Sequence, residues 1–302
     1  MEISKELDYG TMMNKLTVLA RENEMLKLSY IGNSILSRPI PVITVGDFKA
    51  QKSVLYVATH HATENICTSV LVKFLNELSE SSKRRENCCG INLDFLFKTR
   101  KIYVIPMLNP DGVEYRLNGT DEMNPLYDRV MKYSNGGDFS KWNANARGVD
   151  LNHNYDAYFN EYKKHESELG ILPGNGKYSG EAPESEPETS ALASFIRHNT
   201  DELCGVLTLH SQGEEIYYKS RGMCPKKSEF LAGMIGRMTG YKPSEAQGTS
   251  SCGGLTDWFI KETGKPSFTI ECGMGENPLP MSQLTRIYLS LRELLFTFPI
   301  LF

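Results

Sequence analysis

His61 and Glu64 stand three residues apart, at the end of an apolar, β-branched run. That run, Ser53-Val54-Leu55-Tyr56-Val57-Ala58-Thr59, breaks into His60-His61-Ala62-Thr63-Glu64-Asn65. Imidazole nitrogen and carboxylate oxygen are both good ligands for divalent zinc. A histidine on a strand-to-helix loop and a glutamate in the next turn can converge on one ion. The chemistry this suggests is metal-dependent hydrolysis, which needs a third ligand and a base from elsewhere in the chain.

The elements that would position such groups alternate between strand-like and helix-like patterns. Apolar spacing predicts helices over 12–20, 64–78, 188–198, 227–240, 257–263 and 281–296. Strands are predicted over 27–31, 40–45, 54–59, 101–106, 203–210 and 267–271. The stretch from Asn109 to Glu188 is rich in Asn, Gly, Asp, Ser and Tyr without sustained periodicity, and reads as long functional loops. Alternating strands and helices imply an α/β fold, a twisted, mixed and mostly parallel sheet with helices on both faces. With no repeat and no linker, residues 1–302 read as one catalytic domain.

Polar clusters end several of these strands. His61 and Glu64 follow one, Asn109-Pro110-Asp111-Gly112 another, His210-Ser211 closes a third and Glu271 a fourth. In α/β sheets, ligands bind beyond the carboxyl ends of the strands. Taken singly, His210 reads as a core histidine and Glu271 as a strand-end ion pair; taken together they are a candidate site. His60 is the nearest competitor to His61, at a different spacing from Glu64.

Composition narrows the partners. The net charge is −4, and no basic block exceeds Lys83-Arg84-Arg85, so a nucleic-acid partner is not expected. No run approaches the roughly 18 apolar residues of a membrane span, and the first residues, Met1 to Asp8, lack an apolar signal core. The seven scattered cysteines include no Cys-x-x-Cys pair and fit reduced thiols, so a cytoplasmic location is expected. Oligomeric state is not legible.

Six ordered motifs resemble the zinc carboxypeptidase family of the carboxypeptidase A type. They are His61-Ala62-Thr63-Glu64, Pro106 to Gly112, Gly148-Val149-Asp150-Leu151-Asn152, Leu209-His210-Ser211, Gly253 to Trp258, and Phe268-Thr269-Ile270-Glu271. The resemblance implies one zinc ion held by His61, Glu64 and His210, with water in the open fourth position. It implies Glu271 as general base and Asp150 as the carboxylate that fixes a ligand histidine's tautomer.

Departures from the family pattern point to the substrate. His153 stands where the family carries an arginine for the substrate's terminal carboxylate, beside Asn152. Imidazole cannot offer that bidentate fork. Asn143 stands where an arginine often follows the tryptophan, and Gln247-Gly248-Thr249-Ser250 lacks the family's tyrosine. The segments 142–154, 178–188 and 271–280 are more similar to the bacterial branch that cleaves γ-D-glutamyl-diamino acid bonds in cell-wall muropeptides. That substrate carries several carboxylates, and Arg147 is expected to anchor one. Cys272, alternating with Glu271 on its strand, reads as core packing. Two other readings are a conventional metallocarboxypeptidase acting on peptide C-termini and an inactive metal-binding scaffold.

Overall fold

Strand β3 (Ser53–Ala58) is buried at every position. Its apolar run is continuous because both faces are covered. Val54, Tyr56 and Ala58 pack into one core, and Leu55 and Val57 into the other. The computed structural model describes residues 3–302.

The remaining strands are β1 (Leu26–Asn33), β2 (Pro39–Val45), β4 (Lys101–Ile105), β5 (Leu203–His210), β6 (Glu215–Tyr217), β7 (Lys242–Ser244) and β8 (Ser267–Glu271). They form one eight-stranded sheet in the order β1-β2-β4-β3-β5-β8-β6-β7. β3 runs parallel to β4 and β5, and β5 parallel to β8. The β6–β7 pair is parallel too, while β1–β2, β2–β4 and β6–β8 are antiparallel, so the sheet is mixed. The central parallel strands all end at one edge, and the polar strand-end clusters are gathered there.

Helices α1 (Tyr9–Glu22), α2 (Ile66–Lys83), α8 (Ser228–Thr239) and α10 (Leu284–Thr297) supply the larger core. α7 (Pro187–His198) and α9 (Leu255–Thr263) supply the other. In α10, Leu284, Ile287, Tyr288, Leu291, Leu294 and Leu295 are buried at helical spacing. Each such side chain contributes about 1.5–3 kcal/mol of apolar burial. Among the described residues, no helix is long and apolar enough to cross a membrane.

The stretch expected to be loop, Asn109 to Glu188, contains three helices: α4 (Pro110–Asn118), α5 (Tyr127–Tyr133) and α6 (Phe159–Leu169). α4 begins where the Asn109 side chain accepts from the Gly112 amide and Pro110 fills the first position. α6 buries Phe159, Tyr162 and Glu166, and the buried glutamate interrupts its apolar pattern. α3 (Leu93–Thr99) and the three-residue strands β6 and β7 also lie outside the expected elements. Such short edge strands carry too few residues for alternation to register.

Candidate active site

β3 ends in a sharp bend at Thr59, whose φ is +59°. His61 remains extended, and Ala62–Glu64 forms a single 3₁₀ turn after it. That turn carries Glu64 back against His61: Nδ1 of His61 lies 3.0 Å from Oε1 of Glu64. From the end of β5, His210 places its Nδ1 2.8 Å from Oε2 of the same carboxylate. One ligand atom from each of the three residues lies within 4.8 Å of the others.

The far side of the His61 ring is fixed by Asp150. Nε2 lies 2.9 Å from Oδ1 of Asp150, whose other oxygen accepts the Lys177 amide at 3.1 Å. Asp150 is delivered by the chain after Gly148, where φ is +78° and a Cβ would sit 2.7 Å from the Gly174 nitrogen. Only glycine fits that crossing. Burial opposes the charge on His61, but Glu64 and Asp150 outweigh it and hold its pKa well above the ordinary value. The two histidines in turn pull Glu64 down to about 2 against its burial. His60 is elsewhere engaged, its Nε2 3.0 Å from the Tyr155 hydroxyl.

Glu271 pairs in register with His210 across β5 and β8, which sets it beside the histidine–glutamate group. Burial and the nearby Glu64 raise its pKa, His210 and His61 oppose the rise, and it settles at about 7. Cys272, the next residue, is fully buried in the core. A cavity of about 390 Å³ opens here, and His61, Glu64, His210 and Glu271 all line it.

The other expected residues divide. Asn152 and His153 line the cavity. Asn152 spends its carbonyl on the Leu255 amide at 3.1 Å. His153 directs Nδ1 to the Cys252 carbonyl at 2.6 Å and stacks on Tyr162 at 3.9 Å between ring centroids. Burial lowers its pKa despite Asp150, so it supplies no replacement guanidinium charge at neutral pH. Asn143 is not in the cavity wall; its side-chain oxygen accepts from the Thr63 amide at 3.3 Å and from the Thr63 hydroxyl. Arg147, expected to anchor a carboxylate, is likewise outside the wall. It is exposed, with its guanidinium 3.5 Å from Glu186, because the turn built on Asn145 directs it outward.

Among the cavity residues that the sequence reading gave no role, three carry polar groups close to the site. Lys219 follows the unexpected strand β6, and Asp257 sits in the first turn of α9. Asn277 donates to the Ser211 carbonyl at 2.6 Å and reaches Glu64 at 3.5 Å. Asp257 and Asn277 fall inside resembling motifs, but their facing one cavity follows only from the fold.

The zinc carboxypeptidase family model matches residues 12–293. The chain belongs to the zinc carboxypeptidase family. It is 34% identical over 282 residues to "Gamma-D-glutamyl-L-diamino acid endopeptidase 1" of Lysinibacillus sphaericus, covering 93% of this chain and 69% of that one. Rat carboxypeptidase B is 26% identical over 262 residues, covering 82% of this chain and 58% of the rat protein. Among solved structures, bovine thrombin-activatable fibrinolysis inhibitor superposes with a TM-score of 0.73 at 20% identity, covering 98% and 97% of the two chains. Murein-tripeptide amidase from Escherichia coli O157 gives 0.54 at 20% identity, covering 89% and 91%. These two structural likenesses speak to the fold.

The chain is thus a zinc metallopeptidase, and its residues fit the metal. Ligands about 2.0–2.1 Å from a tetrahedral zinc lie roughly 3.4 Å apart. The Nδ1–carboxylate separations of 3.0 and 2.8 Å are shorter than that by about half an ångström, so a small outward shift of the rings would admit the ion. Without an ion, two imidazole nitrogens crowd one buried carboxylate.

Asp150→Asn should weaken zinc binding about 10–100-fold, since the His61 tautomer is no longer fixed; competition against a chromogenic chelator measures this. An unchanged affinity would remove Asp150 from the site's support. Glu271 also predicts a pH-dependent stability. Its folded pKa of about 7 exceeds the ordinary 4.5, so ionising it costs stability increasingly between those values. Metal-free Glu271→Gln should therefore melt above metal-free wild type at pH 8, with the gap closing towards pH 5. A gap independent of pH would contradict the raised pKa.

Proposed function

We propose that this protein hydrolyses γ-D-glutamyl-diamino acid bonds of the diaminopimelate type in cell-wall muropeptides. The observation that carries the hydrolytic part is the His61–Glu64–His210 group opening onto a cavity that Glu271 also lines. Supporting the substrate is the 34% identity to the Lysinibacillus sphaericus endopeptidase, which runs over most of both chains. Residues 1–302 act as one catalytic domain in this reading. Seven free cysteines support a reducing, cytoplasmic setting.

His61, Glu64 and His210 hold the ion in this mechanism. Bound zinc supplies Lewis acidity and lowers the pKa of a water molecule. Glu271 accepts the proton of the attacking water on a carboxylate oxygen and then passes it to the nitrogen of the leaving diamino acid. A pKa of about 7 in the metal-free protein suits a group that both takes and returns a proton near neutrality. Asp150 holds His61 in the tautomer that turns Nδ1 inward. Asn152 contributes neutral amide hydrogen bonding at the cavity wall, and the neutral His153 shapes that wall. Asn143 braces the turn between the ligands through Thr63.

The test is a comparison of kcat/KM on γ-D-glutamyl-diaminopimelate peptides and on benzoylglycyl peptides, with products identified by mass spectrometry. Cleavage at the γ-D-glutamyl bond should dominate, and Glu271→Gln should keep its zinc while losing at least about a thousandfold in turnover. Robust activity on benzoylglycyl peptides alone would overturn the substrate. Normal turnover by Glu271→Gln would overturn the mechanism.

A further inference from the structure

With Arg147 turned outward and His153 neutral, the cavity needs another source of positive charge for an anionic substrate. Lys219 is that source: among the residues that wall the cavity it carries the only ammonium or guanidinium group. It projects from the chain just beyond β6, over the Tyr218 ring at 5.1 Å, and its Nζ lies 2.6 Å from Oε1 of Glu245. The Glu245 side chain is 54% exposed. Ion pairs of such exposure are weak, so a substrate carboxylate can take the place of Glu245.

A second observation comes from the same cavity. Asp257 lines it, and the residue is only 6% exposed. Its Oδ1 is buried with no hydrogen-bond partner among the described residues. Burial raises the carboxyl to about 6 against the Ser220 hydroxyl, its own backbone amide and the Arg221 charge, which leaves it ionised at neutral pH. The Ser220 hydroxyl and the Arg221 charge compensate this carboxylate only in part, and a bound ammonium would add a charge-assisted hydrogen bond to it. The neighbouring wall is made of hydroxyls. Thr269 donates to Thr256 at 2.9 Å, which lies 3.0 Å from Ser267, and Ser250 lines the cavity as well. An aliphatic or aromatic side chain would strip water from these groups without replacing its hydrogen bonds.

We propose that this cavity is a subsite for the zwitterionic amino-acid end of a diamino dicarboxylic acid, with Lys219 taking its carboxylate and Asp257 its ammonium. The proposal rests on the substrate class proposed above and adds the two residues that read the far end of the leaving diamino acid.

Three γ-D-glutamyl substrates test it, with meso-diaminopimelate, L-lysine or L-norleucine as the leaving residue. The first has both distal groups, the second only the ammonium, the third neither. Lys219→Gln should lose about 10–100-fold in kcat/KM on the diaminopimelate substrate and change little on the other two. Asp257→Asn should lose on the first two and not on the third. If Lys219→Gln leaves the diaminopimelate-to-lysine preference at its wild-type value, or Asp257→Asn lowers all three substrates equally, the subsite is overturned. Calorimetric titration of the zinc-loaded protein with free meso-diaminopimelate and free lysine separates this from a failure of the proposed function. Wild type should bind diaminopimelate the more tightly, and Lys219→Gln should lose that margin, whichever peptides the enzyme cleaves. No margin in wild type would refute the subsite even where γ-D-glutamyl bonds are cut.

Discussion

One buried carboxylate holds this site together. Glu64 faces an imidazole nitrogen with each of its oxygens, His61 at 3.0 Å and His210 at 2.8 Å. The carboxylate is almost wholly shielded from water, so it must be compensated by charge or by a metal. The rest of the arrangement follows from that demand. A bend at Thr59 and a single helical turn bring Glu64 onto His61. The register of β3 beside β5 brings His210 to the same strand edge, and the pairing of β5 with β8 puts Glu271 next to it. Asp150 then fixes the outer nitrogen of His61.

The groups that make the site chemically useful also work against stability. Burial keeps Glu271 at about 7, and Glu188, remote from the cavity, is pushed to about 8 chiefly by burial and by Asp111. In the proposed mechanism the cost at Glu271 serves a function, because a carboxyl that exchanges protons near neutrality can act on both the water and the leaving amine. The fold tolerates the cost because the strands beneath the site are buried on both faces and the helices around them are packed along their apolar stripes.

What the sequence makes legible, and what it hides, has a physical basis. Val54 to Thr59 and Leu203 to Leu209 are continuous apolar runs because central parallel strands are covered on both sides, and their ends point to His61, Glu64 and His210 directly. Helices such as α10 announce themselves by spacing. The segment between Asn109 and Glu188 does not, because its helices are short and are held by capping and buried polar groups such as Asn109 and Glu166. The direction of Arg147 is likewise hidden: a turn closed by the Asn145 side chain sends it to Glu186 and away from the cavity. His153 is visible as a substitution, but its neutrality depends on burial against Tyr162 and a carbonyl from a distant loop. Lys219 is invisible as a cavity residue, since it is placed by a three-residue edge strand.

The most direct test of the central claim is anomalous diffraction at the zinc absorption edge from crystals of the zinc-loaded protein. One strong peak is expected about 2.0–2.1 Å from Nδ1 of His61, an oxygen of Glu64 and Nδ1 of His210, with Asp150 still bonded to Nε2 of His61. A peak coordinated by His60, by Cys67 or by Glu271 in place of any of these three, or no peak at this strand edge, would contradict it.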